Sequence, residues 1–516
     1  MSRDVVPSQD AGLAALARLA AASGQPALRA TLAEALLRAG ATGAALAEAR
    51  ACLAAAPDHV PALRIAGEIH ARQGEHEAAA LALARAATLA PARPSLLVTL
   101  ANSLIEIDRF DEAERVLTRA VALAPDCTAA LANLASVLVR RGKLAEAELP
   151  CRAALLNDPD LVSAHQNMSA ILAVADPAAA RAHRDAAYRR QHVFTVAAPD
   201  PRHHVLVLAA ADQANTPLRH LLDRRHTSIT TWYVEYATEN DVVPPHDAIV
   251  NAIGEPELAP ILPPSAERWL QAEGARLINA PAKVARTRRE CLPALLAGVA
   301  GCVVPEVASV ADAPARAVMA ARIGFPVLVR PRGTHGGLGL RLVTTPQHLA
   351  KLPEFPAILT KFHDFRAADG YWRKYRVIFV DRRPFPLHLA ISPHWLVHHC
   401  TAGMEDDAAR RAEEQRFLAD WRAVLGEVAA DAVTAIGQRL DLDYAGLDFS
   451  LTGQGEVLVF EANAAMLVHP EPEPGIFAYR NAAVRRIQAA FAAMLGNVPK
   501  RETPARRNRE AADAEP

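Results

Sequence analysis

The pattern of hydrophobic and polar positions divides the chain into two halves. Up to about residue 195, Ala, Leu and Arg dominate while Gly and β-branched residues are sparse, which favours helix throughout. After Pro199-Asp200-Pro201, short apolar runs alternate with helical patterns, as in an α/β region. Three early strands are predicted, at His204–Ala209, Thr230–Tyr236 and Ala248–Asn251, and a helix is predicted around Arg286–Leu296. The pattern therefore predicts an all-helical half followed by an α/β half.

A repeat of 34 residues organises the helical half. Its prolines are Pro57, Pro91, Pro125 and Pro159. Small residues recur in phase at Ala45, Ala79, Ala113 and Ala147, and again at Cys52, Ala86, Ala120 and Ala154. Turn residues, which must end the first helix of each unit, stand at Gly40, Gly74, Asp108 and Gly142. The array resembles tetratricopeptide repeats over residues 26 to 161, with a weaker helical unit on each side.

This resemblance implies a concave face lined by the first helix of each repeat. Asn133 and Asn167 share one repeat position on that helix, where the unit before them has Thr99. In some tetratricopeptide proteins such asparagines hold a peptide backbone, because an amide donates and accepts together. The alternative is a set of solvated polar residues on an exposed face. The other residues predicted to line the groove are Arg64, Glu68, Arg72, Asn102, Glu106 and Arg140.

In the second half, a glycine-rich segment directly follows a predicted strand that ends near Arg330. Glycines let backbone amides approach phosphate oxygens, and a guanidinium neutralises two of those oxygens at once. The segment is neither a Walker loop nor a dinucleotide fingerprint, because no Gly-Lys-Ser/Thr and no helix follow. It predicts a phosphate-binding loop, with a ligand-free glycine hairpin as the alternative. The candidate residues are Arg330, Gly333, Thr334, Gly336, Gly337 and Gly339.

A predicted hairpin near the end of the chain carries a second candidate site. Apolar residues flank Asp448, a turn follows at 452–455, and a second apolar run leads to Glu461 and Asn463. Such a hairpin places the three polar residues side by side. Mg²⁺ prefers hard oxygen ligands and often shares its shell with phosphates, so the pattern predicts a magnesium site. The alternative is ordinary polar residues at strand ends.

In this order the elements resemble the ATP-grasp superfamily, near its glutathione synthetase and ribosomal-protein glutamate ligase branch. The resemblance covers about residues 203 to 495 and includes Leu277–Pro281 and the strand Tyr375–Val380. It implies ATP between two subdomains and Mg²⁺ on Asp448, Glu461 and Asn463. It also implies phosphate contacts from Arg289 and Arg330, an adenine hinge at Lys361 and Phe362, and Arg376 on the phosphates or acyl phosphate.

The chain departs from the family at its cations and at its hinge. Arg289 and Arg330 stand where lysines are usual, and the usual hinge glutamate is missing from Thr360–His363. Arginine keeps the charge but is bulkier and forked, so the contact geometry must differ.

A histidine-rich segment follows the arginine strand. We predict that His388, Trp395 and His398 line the acceptor pocket, and that a long polar helix from Glu405 to Gln438 closes over it. The alternatives are residues of the core and strand edges, or a zinc site whose spacing matches no common pattern.

Composition limits the classes of partner that the protein is expected to bind and the cellular compartment that we expect for it. The formal net charge is −1, which gives no case for nucleic acid or an anionic membrane as partner. The six cysteines show no paired spacing, and no apolar run reaches the roughly 18 residues of a membrane span. We therefore predict a cytoplasmic protein. Its predicted parts are a repeat domain (1–195), a pre-ATP-grasp subdomain (202–285), an ATP-grasp region (286–498) and a disordered tail (499–516).

The resemblance implies an ATP- and Mg²⁺-dependent ligase that joins a carboxylate to an amine or other nucleophile through an acyl phosphate. The repeats are candidates for recruiting a peptide or protein substrate, while the carboxylate and the nucleophile stay open. The alternative is a tetratricopeptide scaffold whose degenerate ATP-grasp domain binds nucleotide without catalysing ligation.

Overall fold

The computed structural model describes residues 9–212, 214–334, 337–398 and 401–496. The chain forms two compact units. One comprises Met1–His192 with Ala198–Asp200, and the other Val193–Ala197 with Pro201–Pro516. The finer domain boundaries predicted from the sequence stay predictions, and the predicted tail lies outside the described residues.

The first unit is helical, and short turns join its successive helices. The helices are α1 (Gln9–Ser23), α2 (Pro26–Arg38), α3 (Thr42–Ala55), α4 (Val60–Arg72), α5 (His76–Leu89), α6 (Pro94–Glu106), α7 (Phe110–Leu123), α8 (Thr128–Arg140), α9 (Leu144–Asn157), α10 (Val162–Leu172) and α11 (Pro177–Arg190). The predicted all-helical half is confirmed.

Turns between the paired helices use the residues that the repeat predicts. Gly40, Gly74 and Gly142 have φ of 79°, 73° and 73°, and Asp108 has φ of 58°. Glycine adopts this left-handed conformation without a Cβ clash, and aspartate tolerates it better than most residues. The chain therefore reverses at the same place in each unit.

The recurring small residues form the contacts between helices. Both in-phase sets are fully buried in the described repeats. Gly67 shows how close the approach is, because a Cβ built there would lie 2.5 Å from Leu83 Cγ. Side-chain size at these positions thus sets the distance between helices.

We expect Ala120→Leu to lower the free energy of unfolding by about 1 to 3 kcal/mol, since Ala120 is fully buried and a larger side chain overpacks the contact. Urea denaturation of the full chain measures the change. Ala122→Leu is the matched control, because Ala122 is exposed on the same helix. Equal effects of the two substitutions would contradict this packing.

The described residues of the second unit form three sheets. Its described strands are β1 (Val193–Val196), β2 (His203–Ala209), β3 (Thr227–Tyr233), β4 (Ala248–Asn251), β5 (Arg276–Ile278), β6 (Cys302–Val303), β7 (Val307–Val310), β8 (Val327–Pro331), β9 (Arg341–Val343), β10 (Ala357–Lys361), β11 (Trp372–Val380), β12 (Arg383–Ser392), β13 (Tyr444–Leu451) and β14 (Val457–Asn463). The sheet orders are β1-β3-β2-β4-β5, β7-β10-β8-β9 and β12-β11-β13-β14-β6.

Helices cover these sheets. They are α12 (Pro264–Ala272), α13 (Pro281–Ala285), α14 (Leu292–Leu295), α15 (Ala313–Ile323), α16 (Pro346–Ala350), α17 (Ala408–Ala419), α18 (Trp421–Leu425), α19 (Glu427–Leu440) and α20 (Asn481–Gly496). Short 3₁₀ turns occur at Val234–Tyr236, Arg289–Cys291 and Ala478–Arg480. The described helices include none long and apolar enough to cross a membrane.

The first sheet is parallel from β3 to β5, with β1 antiparallel at its edge. Apolar residues on both of its faces are buried, on one side among residues of α20 and on the other among residues of α12. Burial on both faces explains the continuous apolar run of β2. Asn279 follows β5 and joins this sheet to the third one, because its side chain donates to Tyr444 O (2.7 Å) and accepts from Tyr444 N (2.9 Å).

Three predicted elements differ from the structure. The second predicted strand, Thr230–Tyr236, is shifted along the chain, since β3 spans Thr227–Tyr233 and Val234–Tyr236 is a 3₁₀ turn. The helix predicted around residues 286–296 is only a 3₁₀ turn followed by the short α14. The long helix predicted over 405–438 is divided into α17, α18 and α19. The side chain of Asp420 accepts a hydrogen bond from Ala423 N and thereby caps the start of α18, and Gly426, between α18 and α19, has φ of 80°.

Candidate functional site

The predicted hairpin brings the three polar residues together. In the register of β13 with β14, Asp448 pairs with Glu461 and Gly446 with Asn463. Asn463 Nδ2 donates to Glu461 Oε1 at 2.7 Å. Asp448 and Asn463 are buried, whereas Glu461 is partly exposed. The arrangement therefore presents two carboxylates and an amide on neighbouring strands.

Two cations of β11 bind Asp448. Arg376 lies opposite Asp448 in the β11–β13 register, and its Nε and Nη2 donate to the two carboxylate oxygens at 2.6 and 2.7 Å. Lys374, two residues earlier on the same face, donates from Nζ at 3.1 Å. Burial alone would raise the pKa of Asp448, but the charges of Arg376 and Lys374 outweigh it and hold that pKa well below the usual carboxyl range. Asp448 is therefore ionised.

Arg289 connects Glu461 to a carboxylate from the first sheet. Its Nη2 donates to Glu461 Oε1 at 2.6 Å and its Nη1 to Glu257 Oε1 at 2.9 Å. Burial would raise the pKa of Glu257, but the charge of Arg289 and a bond from Gly333 N lower it. The guanidinium predicted to contact phosphate is thus held between two carboxylates.

Arg330 lies at the base of the glycine-rich loop. It projects from β8, and its Nε and Nη2 donate to Thr334 Oγ1 at 3.4 and 3.3 Å. Burial and the nearby charge of Arg289 lower its pKa. Gly333, Gly337 and Gly339 have positive φ, of 68°, 79° and 70°. The predicted residue Gly336 lies outside the described residues.

Most of these groups line one cleft of about 1100 Å³. Its wall residues do not include Glu257, nor the predicted site residues Gly333, Thr334, Gly339 and Asn463. The predicted site residues in its wall are Arg289, Arg330, Gly337, Lys361, Phe362, Arg376, Trp395, His398, Asp448 and Glu461. Apolar residues line the rest of it, among them Leu328, Leu340, Phe365, Leu458 and Phe460. The cleft thus combines a densely charged region with an apolar one.

Both units match known families. Residues 30–94 and 98–162 match the family described as tetratricopeptide repeat. Residues 290–362, from just after Arg289 to Phe362, match the family described as carbamoyl-phosphate synthase L chain, ATP binding domain. The chain thus combines tetratricopeptide repeats with a segment that matches an ATP-grasp-type ATP-binding domain. No curated protein matches it.

Solved structures of other proteins resemble about a third of the chain. YrrB, described as a tetratricopeptide repeat protein with an unusual peptide-binding site, is 21% identical, with a TM-score of 0.33 over 34% of this chain and 92% of that chain. MamA from Desulfovibrio magneticus RS-1 is 20% identical, with a TM-score of 0.30 over 32% and 96%. PilF from Pseudomonas aeruginosa is 21% identical, with a TM-score of 0.28 over 31% and 74%. Likenesses this distant say nothing about function.

Near the end of β10, a second segment faces the glycine-rich loop. The ring of Trp395 meets that of Phe362 edge to face, with centroids 5.9 Å apart. A Cβ built on Gly337 would lie 3.3 Å from Leu396 Cδ1. Lys361 Nζ donates to Gly324 O at 2.9 Å, so its ammonium is bound to the backbone. The two loops therefore approach each other at the wall of the cleft.

The predicted histidines occupy different positions. His398 lines the cleft, and burial followed by the charges of Lys374 and Arg376 lowers its pKa. His388 is buried on β12 opposite Arg376 and is not among the residues of the cleft wall. Within the described ranges no three His, Cys, Asp or Glu residues cluster as a metal site, while His399 and Cys400 lie outside those ranges.

The two asparagines predicted to bind a peptide also lie in different surroundings. Asn133 lines a groove of about 1150 Å³ together with Asn102, and its Nδ2 donates to Asn102 Oδ1 at 2.7 Å. Asn167 donates to Ser136 Oγ at 2.9 Å and is not in the groove wall. Glu68, Arg72, Glu106 and Arg140 line the groove, whereas Arg64 does not.

Glu257 and Lys374 are functional candidates that our site prediction did not include. Lys374 could have been included from its place two residues before Arg376 on a strand. Glu257 follows β4 at the carboxyl end of a parallel strand, where ligand sites of α/β sheets cluster. No spacing rule, however, pairs Glu257 with Arg289.

We expect Gly339→Ala to weaken nucleotide binding about tenfold, because a Cβ there would lie 2.9 Å from Pro331 Cδ and would displace the glycine-rich loop. Isothermal titration with ATP measures the effect. Gly370→Ala is the matched control, since Gly370 also has positive φ (86°) but nothing within 4 Å. Both variants should lose roughly 1 kcal/mol of stability; equal affinities in both would contradict a role for the loop.

Proposed function

We propose that the α/β unit is an ATP- and Mg²⁺-dependent ligase that joins a carboxylate to a nucleophile through an acyl phosphate. The observation that carries the proposal is the in-register pair Asp448 and Glu461, faced by cations in one cleft. We place the unit near the glutathione synthetase and ribosomal-protein glutamate ligase branch, on the motifs given above.

The charged region of the cleft has the donors that polyphosphate needs. Arg289, Arg330, Lys374 and Arg376 all line it. Guanidinium forks and backbone amides bind phosphate oxygens through charge-assisted bonds. Arg289, Lys374 and Arg376 now bind carboxylates. Carboxylates are chemically similar to phosphate, so phosphate oxygens can take over those bonds.

The donor set fits magnesium. Asp448 and Glu461 lie side by side with the amide of Asn463, and Asp448 is ionised. Hard oxygen donors of this kind suit Mg²⁺ bound together with a triphosphate. When bound, the ion would neutralise charge on the transferred phosphoryl group.

The apolar region of the cleft suits a purine base. Leu328, Leu340, Phe362 and Phe460 offer flat or branched apolar surfaces. The strand β10 ends at Lys361, so the backbone around Phe362 is positioned to contact the base edge. Binding energy gained here would orient the triphosphate toward the charged region.

The proposed reaction has two steps. A carboxylate oxygen of the substrate attacks the γ-phosphorus and ADP leaves; then the nucleophile attacks the acyl carbon and phosphate leaves with that oxygen. Arg376, whose fork now binds Asp448, is placed to hold oxygens of the transferred phosphoryl group. Positioning and charge stabilisation are the protein's main contributions to such chemistry.

We further propose that the repeats bind a peptide or protein substrate. The support is the groove that contains the Asn102–Asn133 pair and charged residues of both signs. Amides that bond each other across neighbouring repeats can also bond an extended backbone.

A second candidate is a nucleotide-binding switch without ligation. The observation in its favour is that both arms of Arg289 are occupied by carboxylates. ADP release by the full chain with ATP, Mg²⁺ and pooled amino acids and peptides separates the two. Turnover that depends on an acceptor supports the ligase, whereas ATP binding without turnover in any pool supports the switch.

A further inference from the structure

The buried carboxylate of Glu257 binds donors of the kind that a phosphate uses. Its side chain is only 2% exposed. One oxygen accepts from Arg289 Nη1 at 2.9 Å, and the other accepts from the backbone N–H of Gly333 at 3.1 Å. A guanidinium arm and a glycine backbone amide are the two kinds of donor on which the proposed nucleotide site depends.

The contacts of Glu257 extend to the rest of the charged region. Arg289 binds Glu461 with its other arm, and Arg330 lies near enough to act on Glu257 through its charge. Glu257 itself lies in the segment after β4 of the first sheet, whereas Arg289 lies in a 3₁₀ turn and Arg330 on β8 of the second sheet. A single carboxylate thus holds the glycine-rich loop and a cation of the cleft at one point.

If neither Glu257 nor a phosphate were there, the guanidinium of Arg289 and the backbone amide of Gly333 would lose an acceptor. Leaving a buried charge or amide without a partner costs far more than a surface pair contributes. Glu257 satisfies them, and its two oxygens imitate two oxygens of a phosphate. Any phosphate that uses Arg289 Nη1 and Gly333 N must therefore displace it.

We propose that Glu257 is a positioning residue that holds Arg289 and the glycine-rich loop in the manner of a phosphate, and that ATP binds by displacing it. The inference rests on the proposed function, since it takes the cleft to be the ATP site. Glu257 then lowers nucleotide affinity in proportion to the contacts that it must give up. It also favours ligands with enough negative charge to replace it.

The opposite role is a structural brace. If Glu257 only held Arg289 in the right place for phosphate, its removal would let the guanidinium move and would weaken binding. The two roles therefore predict opposite signs for the same substitution.

Glu257→Gln tests the sign, because glutamine keeps the size and can still accept from Gly333 N but has no charge for Arg289. Three probes are titrated calorimetrically in the full chain with Mg²⁺: ATP, inorganic tripolyphosphate and adenosine. We expect ATP and tripolyphosphate to bind about tenfold more tightly than to wild type, since a charge-assisted bond no longer opposes them. Adenosine affinity should not change.

Glu255→Gln is the matched control. Glu255 also acts on Arg289 and Arg330 through its charge, and it accepts from the backbone N–H of Glu257. Removing its charge tests the general electrostatic effect while the charge-assisted bond between Glu257 and Arg289 stays in place. We expect a smaller gain in affinity than for Glu257→Gln.

Equal or weaker binding of ATP and tripolyphosphate by Glu257→Gln, with wild type binding both, overturns the inference alone. Failure of wild type and variant to bind any phosphate probe overturns the proposed function as well. If the variant binds the phosphate probes and wild type does not, the inference is supported in its strongest form. If Glu257→Gln does not fold, Glu257→Asp withdraws the carboxylate by one methylene and must show the same direction of change.

Discussion

Glu461→Ala should reduce Mg²⁺-dependent ATP turnover by about two to three orders of magnitude, the scale on which loss of a positioned charge-stabilising group acts. The substitution removes one of the two in-register carboxylates and takes away a partner of both Arg289 and Asn463. ADP release at saturating Mg²⁺ measures it. The fold should survive, because the side chain of Glu461 is partly exposed to the cleft.

Glu456→Ala is the control for this variant. Glu456 lies on the same hairpin, just before β14, and bonds Thr452 rather than any group of the cleft. Its turnover should equal that of wild type. Unchanged turnover in Glu461→Ala would contradict the site, whereas a loss in both variants would point to damage of the hairpin.

Glu414→Ala should lower the free energy of unfolding by about 3 to 5 kcal/mol, the range observed when one partner of a buried ion pair is removed. Glu414 on α17 is fully buried. Its two oxygens accept from Arg480 at 3.0 and 2.9 Å, from the hydroxyl of Tyr479, and from Leu389 N at 3.1 Å. Alanine would leave the buried Arg480 paired with Glu471 alone of these two carboxylates, and would remove this acceptor from Leu389 N.

Urea denaturation of the full chain measures this loss, with Glu413→Ala as its control. Glu413 precedes Glu414 on the same helix and pairs with Arg373, which also binds Asp369. Since that pair is partly exposed and redundant, its loss should cost under about 1 kcal/mol. A similar small cost for Glu414→Ala would show that the buried network does not support α17.

Local and periodic features could be predicted from the sequence. The repeat is visible in the sequence because the helices of each unit pack in the same way. Ala45, Ala79 and their equivalents must therefore be small wherever helices meet. The pairing of Asp448 with Glu461 was predictable because both lie on one hairpin, whose turn residues set the reversal. In both cases the signal and the contact lie close together along the chain.

Long-range partners and helix ends could not be predicted in the same way. Arg289 is separated by 32 residues from Glu257 and by 172 from Glu461, and no pattern in the sequence joins them. The break of the predicted helix at Asp420 depends on one capping bond, to Ala423 N, which competes with continued helix by a small free energy. Asn167 stands at the same position of its repeat as Asn133, but its amide donates to Ser136 whereas that of Asn133 donates to Asn102, because the neighbouring residues differ.

Transfer of oxygen from the acid to phosphate tests the central claim most directly. Pooled amino acids and peptides labelled with ¹⁸O in their carboxyl groups are incubated with ATP, Mg²⁺ and the full chain, and the released phosphate is analysed by mass spectrometry. An acyl phosphate route requires the attacking carboxylate oxygen to leave with the phosphate, so we expect one ¹⁸O in each phosphate formed. ADP release with unlabelled phosphate, or no ADP release with any acceptor pool, would contradict the ligase.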